Sequence, residues 1–326
     1  MTRSNSTGNL NRSASDSNRP ARPTLTLVPR GDRKPPARRS PLALWHLLSL
    51  DAPSVATVWT LAIAHTLNLH LPWTCAAAMF LAVWMLYAAD RLLDARALDI
   101  NPLHSGPAPL DLEERHRFHH RHRGAFLVGI AFCACILTVL LRPIDPAAMR
   151  LYALLATLLG AWLLLIHVRP ADSAHRLPKE LAVGLFFPAA VFIPTVARLP
   201  QLQLDLLPIA ALLAALCSLN CLFLYAWEHP GARTHAHWST RWATDRLIPL
   251  TGSVAGLAIL FSIIPELLPH SRLDHRATLL TLCIALSALL LLLLHASRRR
   301  LKPVPLRALA DLVLLTPLIP AISLLH

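Results

Sequence analysis

Two aspartates four residues apart, Asp90 and Asp94, stand at the end of a long apolar run that begins at Trp73. Residues i and i+4 share a helix face, so a helix here presents two carboxylates side by side. Paired carboxylates can hold a hard divalent cation such as Mg²⁺ and, through the metal, a phosphate group. The alternative is a pair of interfacial charges balanced by Arg91 and Arg96.

A run of arginine and histidine follows at Glu113–Arg123. Because Arg forms bidentate hydrogen bonds with phosphate oxygens, Arg117 and Arg121 are candidates to hold a diphosphate. Two other interpretations stay open. The run can be a solvated basic anchor ahead of the next membrane helix. It also contains His116-x-x-His119-His120, a box that resembles those of membrane di-iron oxygenases.

Polar residues also mark the ends of two later apolar runs. Lys179 begins one of them, where its long side chain can reach a phosphate at the membrane surface. Asn220 and Glu228 are eight residues apart in another run and therefore lie near one helix face. The alternatives are an interfacial charge at Lys179 and an Asn that bonds a neighbouring helix.

The composition is that of a polytopic membrane protein. The chain has 326 residues, of which 55% are hydrophobic and 15% charged, and its mean hydropathy is +0.48. Soluble proteins of this length rarely reach such values. The six cysteines fall within apolar runs without disulfide or zinc spacing, which indicates buried thiols.

Nine apolar runs are each close to the roughly 20 residues that a membrane-spanning helix needs. If the amino terminus is cytoplasmic, all but five of the 31 Lys and Arg residues lie in inside segments, as the positive-inside rule requires. This bias accounts for the formal net charge of +13 without a nucleic-acid partner. The runs are 54–71, 73–90, 124–141, 147–167, 180–197, 206–226, 247–268, 277–295 and 305–325.

Two segments of different character make up the chain. Residues 1–40 are rich in Ser, Arg, Asn and Pro and contain no apolar core. They predict a disordered, basic cytoplasmic tail on the anionic lipids of the inner leaflet rather than a signal peptide. Residues 41–326 form the predicted membrane domain, and Pro41–Leu50 is a short lead-in to it. All candidate site residues named above fall on its predicted cytoplasmic face.

Together these motifs resemble those of the UbiA-type intramembrane prenyltransferases. Leu50-Asp51-x-Pro53 is similar to the family's Leu-Asp-Lys-Pro pattern. Asp90-x-x-x-Asp94 matches the second half of the family's first motif, Asn-Asp-x-x-Asp-x-x-x-Asp. Lys179 stands where the family keeps a basic residue, and the segment 220–228 stands where its second aspartate motif is expected. The resemblance covers about residues 41–326.

The chain also departs from the family pattern. Leu86 and Tyr87 occupy the places of the first Asn and Asp of the first motif. Glu228 is the only acid in the second motif. Asp51 and Asp311 are isolated acids near the same membrane face. Each can either line the site or form a hydrogen bond that holds helices together within the membrane.

The resemblance implies an all-α fold, a bundle of nine transmembrane helices around a central cavity open to the cytoplasm. It implies transfer of a prenyl group from a prenyl diphosphate to a lipophilic acceptor, in a membrane expected to be the bacterial inner membrane. Mg²⁺ would be held by the catalytic acids Asp90, Asp94 and Glu228, and the diphosphate by Arg117, Arg121, Lys179 and Asn220.

Two other functions remain open at this point. A non-catalytic membrane protein on a degenerate prenyltransferase fold is favoured by the lost motif acids. A di-iron oxygenase gains from the histidine box, but the sequence contains no second HxxHH box.

Overall fold

The computed structural model describes residues 40–100, 117–168, 179–228, 237–267 and 275–323, and the regular elements in these ranges are all helical. The predicted tail 1–40 lies outside them, except for Ser40. The α-helices are α1 Pro41–Leu47, α2 Asp51–Thr66, α3 Trp73–Ile100, α4 Arg123–Leu140, α5 Pro146–Val168, α6 Lys179–Arg198, α7 Gln203–Glu228, α8 Trp238–Thr244, α9 Leu247–Leu267, α10 His275–Ser297, α11 Pro303–Leu312 and α12 Leu318–Ser323.

Six of these helices are long and apolar enough to cross a membrane, and two bent pairs raise the number of candidate spans to eight. The bent pairs are α1 with α2, at 89°, and α8 with the greater part of α9, at 76°. The first eight predicted apolar runs each coincide with one long helix, α2 to α7, α9 and α10. Within the described ranges the all-helical fold is therefore confirmed, and the long apolar helices support a membrane protein.

The last predicted run, 305–325, is not one continuous helix. It consists of α11, a 3₁₀ turn over Val313–Leu315, and α12. Pro317 cannot donate a backbone hydrogen bond at the break. Two contacts satisfy polar groups there: the indole N–H of Trp59 donates to the carbonyl of Leu314 over 2.8 Å, and the hydroxyl of Thr316 donates to the carbonyl of Cys283 over 2.9 Å. Such breaks are tolerated at membrane depth where the backbone is buried in protein.

The helices divide into a buried centre and an exposed periphery. The apolar stretch of α7 is 56% buried and that of α10 is 50% buried, whereas the stretches of α4 and α5 are 11% and 6% buried. Trp59, Phe223 and Ile284 are fully buried in the common core of α2, α7 and α10. We therefore expect α4 and α5 to face lipid over most of their surface.

A close crossing of α6 and α7 gives a test of this packing. A Cβ atom on Gly184 would lie 2.7 Å from the Cα atom of Ser218, so only glycine permits this backbone approach. We expect Gly184→Ala to destabilise the protein by about 1–3 kcal/mol through overpacking, measured by thermal unfolding in detergent. In the matched control Gly252→Ala the new Cβ meets nothing within 4 Å, and stability should stay equal or rise. Equal melting of both variants would contradict the observed α6–α7 contact.

Candidate functional site

A cavity of about 620 Å³ lies among α3, α4, α5 and α6. Its lining is largely apolar, with Tyr87 and Asp90 near one end of α3 and Asp145 and Arg198 near the opposite ends of the neighbouring helices. Cys75 also lines it. Because Cys75 and Asp90 are 15 residues apart on α3, the cavity follows that helix for roughly 22 Å at 1.5 Å per residue. This length approaches the roughly 30 Å of a bilayer's hydrocarbon core.

A group of buried polar side chains lies beside the Asp90 end of α3. We call it the polar cluster; its members are His46, Asp51, Arg91, Asn220 and Asp311. Asp51 has no exposed surface, and His46 and Arg91 are 3% and 4% exposed.

Asp51 is at the centre of the polar cluster. Its Oδ2 atom lies 2.7 Å from Nδ1 of His46 and 3.6 Å from Nη2 of Arg91. Its Oδ1 atom accepts a hydrogen bond from the backbone N–H of Ala52 over 3.1 Å. A buried carboxylate is costly unless it is paired and hydrogen-bonded, and these contacts satisfy that requirement.

The second acid of the cluster, Asp311, comes from α11. Its Oδ2 atom lies 4.0 Å from Nδ1 of His46, and its Oδ1 atom accepts a hydrogen bond from the amide of Asn220 over 3.1 Å. The cluster therefore joins the consecutive helices α1, α2 and α3 to α7 and α11, which come much later in the sequence.

Two residues form the wall between the cavity and the polar cluster. Tyr87 lines the cavity, accepts a hydrogen bond from Nη2 of Arg91 and has the Arg91 guanidinium over its ring at 4.3 Å. Ala52 lines the cavity next to Asp51. The charges of the cluster thus fix the side chains at one end of the cavity.

The structure places the other predicted site residues as follows. Asp90 borders the cavity. Arg117 and Arg121 are exposed on a helical turn ahead of α4. Asp94 is on α3 and Lys179 begins α6, but their side chains lie outside the part of the chain that is described. Their predicted roles stay predictions.

The two residues of the second motif both contact α11. Glu228 forms an ion pair with Arg307, which is 6% exposed, and Asn220 bonds Asp311. Neither is among the described residues that line the cavity. Within the described ranges, the one group of three His, Cys, Asp or Glu side chains close enough to share a metal ion is His46, Asp51 and Asp311. Asp90 and Glu228 do not belong to that group.

His119 of the histidine box is a packing residue in this structure. It is 1% exposed, its Nε2 lies 3.2 Å from Oγ of Ser49, and its ring stacks on Phe126 at 4.6 Å. His120 is exposed, and His116 lies outside the described residues. The contact with Ser49 ties the turn 117–121 to the α1–α2 bend.

Sequence reasoning missed the role of His46 and the partner of Arg91. The available signal was weak: one histidine and one aspartate five residues apart, and a lone acid in the last apolar run. Their convergence depends on the bend between α1 and α2 and on the position of α11.

Comparisons of the chain with protein-family models, with curated proteins and with solved structures found no match.

The Glu228–Arg307 pair predicts a stability effect. Glu228→Gln removes the negative charge beside a buried guanidinium and should cost about 1.5–3 kcal/mol of unfolding free energy, measured by thermal and denaturant unfolding in detergent. The double variant with Arg307→Met should recover part of the loss. Asp205→Asn, in the first turn of the same helix, is the control and should cost about 1 kcal/mol or less. A Glu228→Gln variant as stable as the wild type would show that the pair contributes nothing.

Proposed function

We propose that this protein is a membrane prenyltransferase, which moves a prenyl group from a prenyl diphosphate to a lipophilic acceptor. The observation that carries the proposal is the long apolar cavity with Asp90 at one end. A prenyl diphosphate is a long apolar chain joined to an anionic head, so the apolar lining would take the chain and a metal ion at Asp90 would take the head. The resemblance of the Asp90 and Asp94 motif to that of the UbiA-type enzymes supports the same conclusion.

The apolar lining would take the isoprenoid chain and keep water from the reacting carbon. Breaking the allylic C–O bond leaves positive charge on that carbon, which an aromatic ring can stabilise by a cation–π contact. Tyr87 and Tyr152 both line the cavity. Of the two, Tyr87 is one turn of α3 from Asp90, and because Arg91 covers one face of its ring, the carbon would have to meet the other face.

The position of Asp90 fits a metal-bound diphosphate, and we assign Mg²⁺ to Asp90 and Asp94. Mg²⁺ would supply charge stabilisation for the leaving diphosphate. Arg117, Arg121 and Lys179 would hold phosphate oxygens through their positive charges. Glu228 fits a metal ligand poorly because its carboxylate is already paired with Arg307, so we assign it to the stability of the α7–α11 contact.

We further propose nine membrane passages with the amino terminus in the cytoplasm of a bacterial inner membrane. The distribution of Lys and Arg supports this orientation. The broken segment of α11 and α12 would be the ninth passage. The site would then open towards the cytoplasm, where soluble prenyl diphosphates are found.

A second candidate function is lipid binding without catalysis on a degenerate prenyltransferase fold. The specific observation in its favour is that Asn220 and Glu228, the remnants of the second motif, are both engaged by side chains of α11. The oxygenase interpretation has no comparable support, because His119 bonds Ser49 and its neighbour His120 is exposed.

Transfer assays with purified protein, Mg²⁺, labelled prenyl diphosphates of different lengths and membrane-extracted acceptors test the proposal. Asp90→Asn should lower turnover by about 10²–10³, the usual cost of losing one charge-stabilising group. Ala82→Phe fills part of the cavity and should lower kcat/KM most for long chains. Ala131→Phe is the control, because Ala131 is exposed on α4 and does not line the cavity.

Absence of transfer with every prenyl diphosphate would contradict catalysis. Lipid binding would then decide between the two functions. If the inactive wild type and Ala131→Phe bound lipid and Ala82→Phe did not, lipid binding without catalysis would replace prenyl transfer as the proposed function. Equal activity of Ala82→Phe and the wild type would show that the chain does not occupy this cavity.

A further inference from the structure

The polar cluster contains chemistry that prenyl transfer does not use. One ligand atom each from His46, Asp51 and Asp311 lies within 4.8 Å of the other two. The three residues come from α1, α2 and α11, and all three are remote from the Asp90 and Asp94 motif in sequence.

The distances are close to those of a coordination sphere. Nδ1 of His46 is 2.7 Å from Oδ2 of Asp51 and 4.0 Å from Oδ2 of Asp311. Metal bonds of about 2.0–2.2 Å to nitrogen and oxygen place two ligands about 3–3.5 Å apart. That spacing lies between the two observed distances, so small side-chain movements complete the arrangement.

Two acceptors in the cluster, one of the three ligand atoms and one atom of Asn220, have no hydrogen-bond donor among the described residues. Oδ1 of Asn220 and Oδ2 of Asp311 are buried without a hydrogen-bond partner among the described residues. Asn220 is itself only 4% exposed, and its amide lies against the Asp311 carboxylate. Buried acceptors are costly when unpaired. The nitrogen of the Asn220 amide faces Asp311, so a half-turn of the amide would direct its oxygen to the Asp311 side, where a bound cation would satisfy both acceptors.

The charges of the cluster also favour a cation. Two carboxylates face one guanidinium, that of Arg91, and the imidazole of His46. A divalent ion would replace the proton at Nδ1 of His46. Arg91, 3.6 Å from Asp51, would then orient a ligating carboxylate from outside the coordination sphere, as partners of metal ligands commonly do.

We propose that His46, Asp51 and Asp311, with the amide oxygen of Asn220, bind one divalent transition-metal ion, for which Zn²⁺ is the best fit. An imidazole nitrogen with carboxylate oxygens in a four-ligand set suits zinc better than magnesium, which prefers oxygen ligands in octahedral geometry. The ion would cross-link α1 and α11 to α2 and α7. This site is separate from the Mg²⁺ assigned to Asp90 and Asp94 and does not rest on prenyl transfer.

The test uses the full chain, purified in detergent without a histidine tag, stripped with a chelator and titrated with Zn²⁺. We expect one bound ion per chain and a rise in melting temperature that Mg²⁺ at the same concentration does not produce. Co²⁺ in place of Zn²⁺ should give a visible absorption band that reports nitrogen and oxygen coordination. Asp311→Asn and His46→Gln should each weaken Zn²⁺ binding at least tenfold and remove the Co²⁺ band.

The control variant is His65→Gln, which changes an exposed histidine at the end of α2 and should leave Zn²⁺ affinity unchanged. The two cluster variants act through different ligands, so either one that folds completes the test. If the wild-type protein bound Zn²⁺ no more tightly than the two cluster variants, the proposal would be overturned. The cluster would then be an ion network neutralised by Arg91 and by a proton on His46 or shared between the two carboxylates.

Discussion

The buried charge of Asp51 is the constraint on which one end of this bundle depends. A carboxylate without solvent contact must be paired, and removing one partner of such a pair commonly costs about 3–5 kcal/mol. Its partners come from outside α2: His46 from α1 and Arg91 from α3. The 89° bend between α1 and α2 places His46 over Asp51. Ser49, in the bend, has a left-handed φ of 59°, so the bend itself includes a conformation that side chains rarely adopt.

The same interaction shapes the cavity. Arg91 holds Asp51 on one side and Tyr87 on the other, so the tyrosine that lines the cavity is fixed by the charges behind it. Asp90, next in the chain to Arg91, lines the same end of the cavity. Different helices therefore form the core and the cavity: α2, α7 and α10 supply the packed core, and α3 to α6 enclose the cavity.

The sequence was sufficient to predict the long helices because backbone groups in a membrane must bond internally, so an apolar run of the right length becomes a helix. The last run differs because Pro317 interrupts the helix. The backbone carbonyl of Leu314 at this break accepts a hydrogen bond from Trp59, which comes more than two hundred residues earlier in the sequence. No local pattern reveals such a contact.

The candidate site also contains residues that the sequence could predict and residues that it could not. The position of Asp90 at the end of the apolar stretch of α3 could be read from its own segment. The partners of Asn220 and Glu228 were not, because Asp311 and Arg307 are distant in sequence and share no motif with them. His46 was missed for a different reason: its partner Asp51 is only five residues away, but the two side chains meet only through the bend after α1.

We propose that the cavity holds an isoprenoid chain with its diphosphate near Asp90. The most direct measurement is photo-crosslinking with a prenyl diphosphate that carries a photoreactive group at the far end of its chain, followed by peptide mapping. We expect labelling of cavity residues remote from Asp90, such as Tyr152 and Met149 on α5, and loss of the label when unmodified prenyl diphosphate competes. Labelling confined to the exposed face of α4, or labelling that unmodified prenyl diphosphate does not reduce, would contradict it.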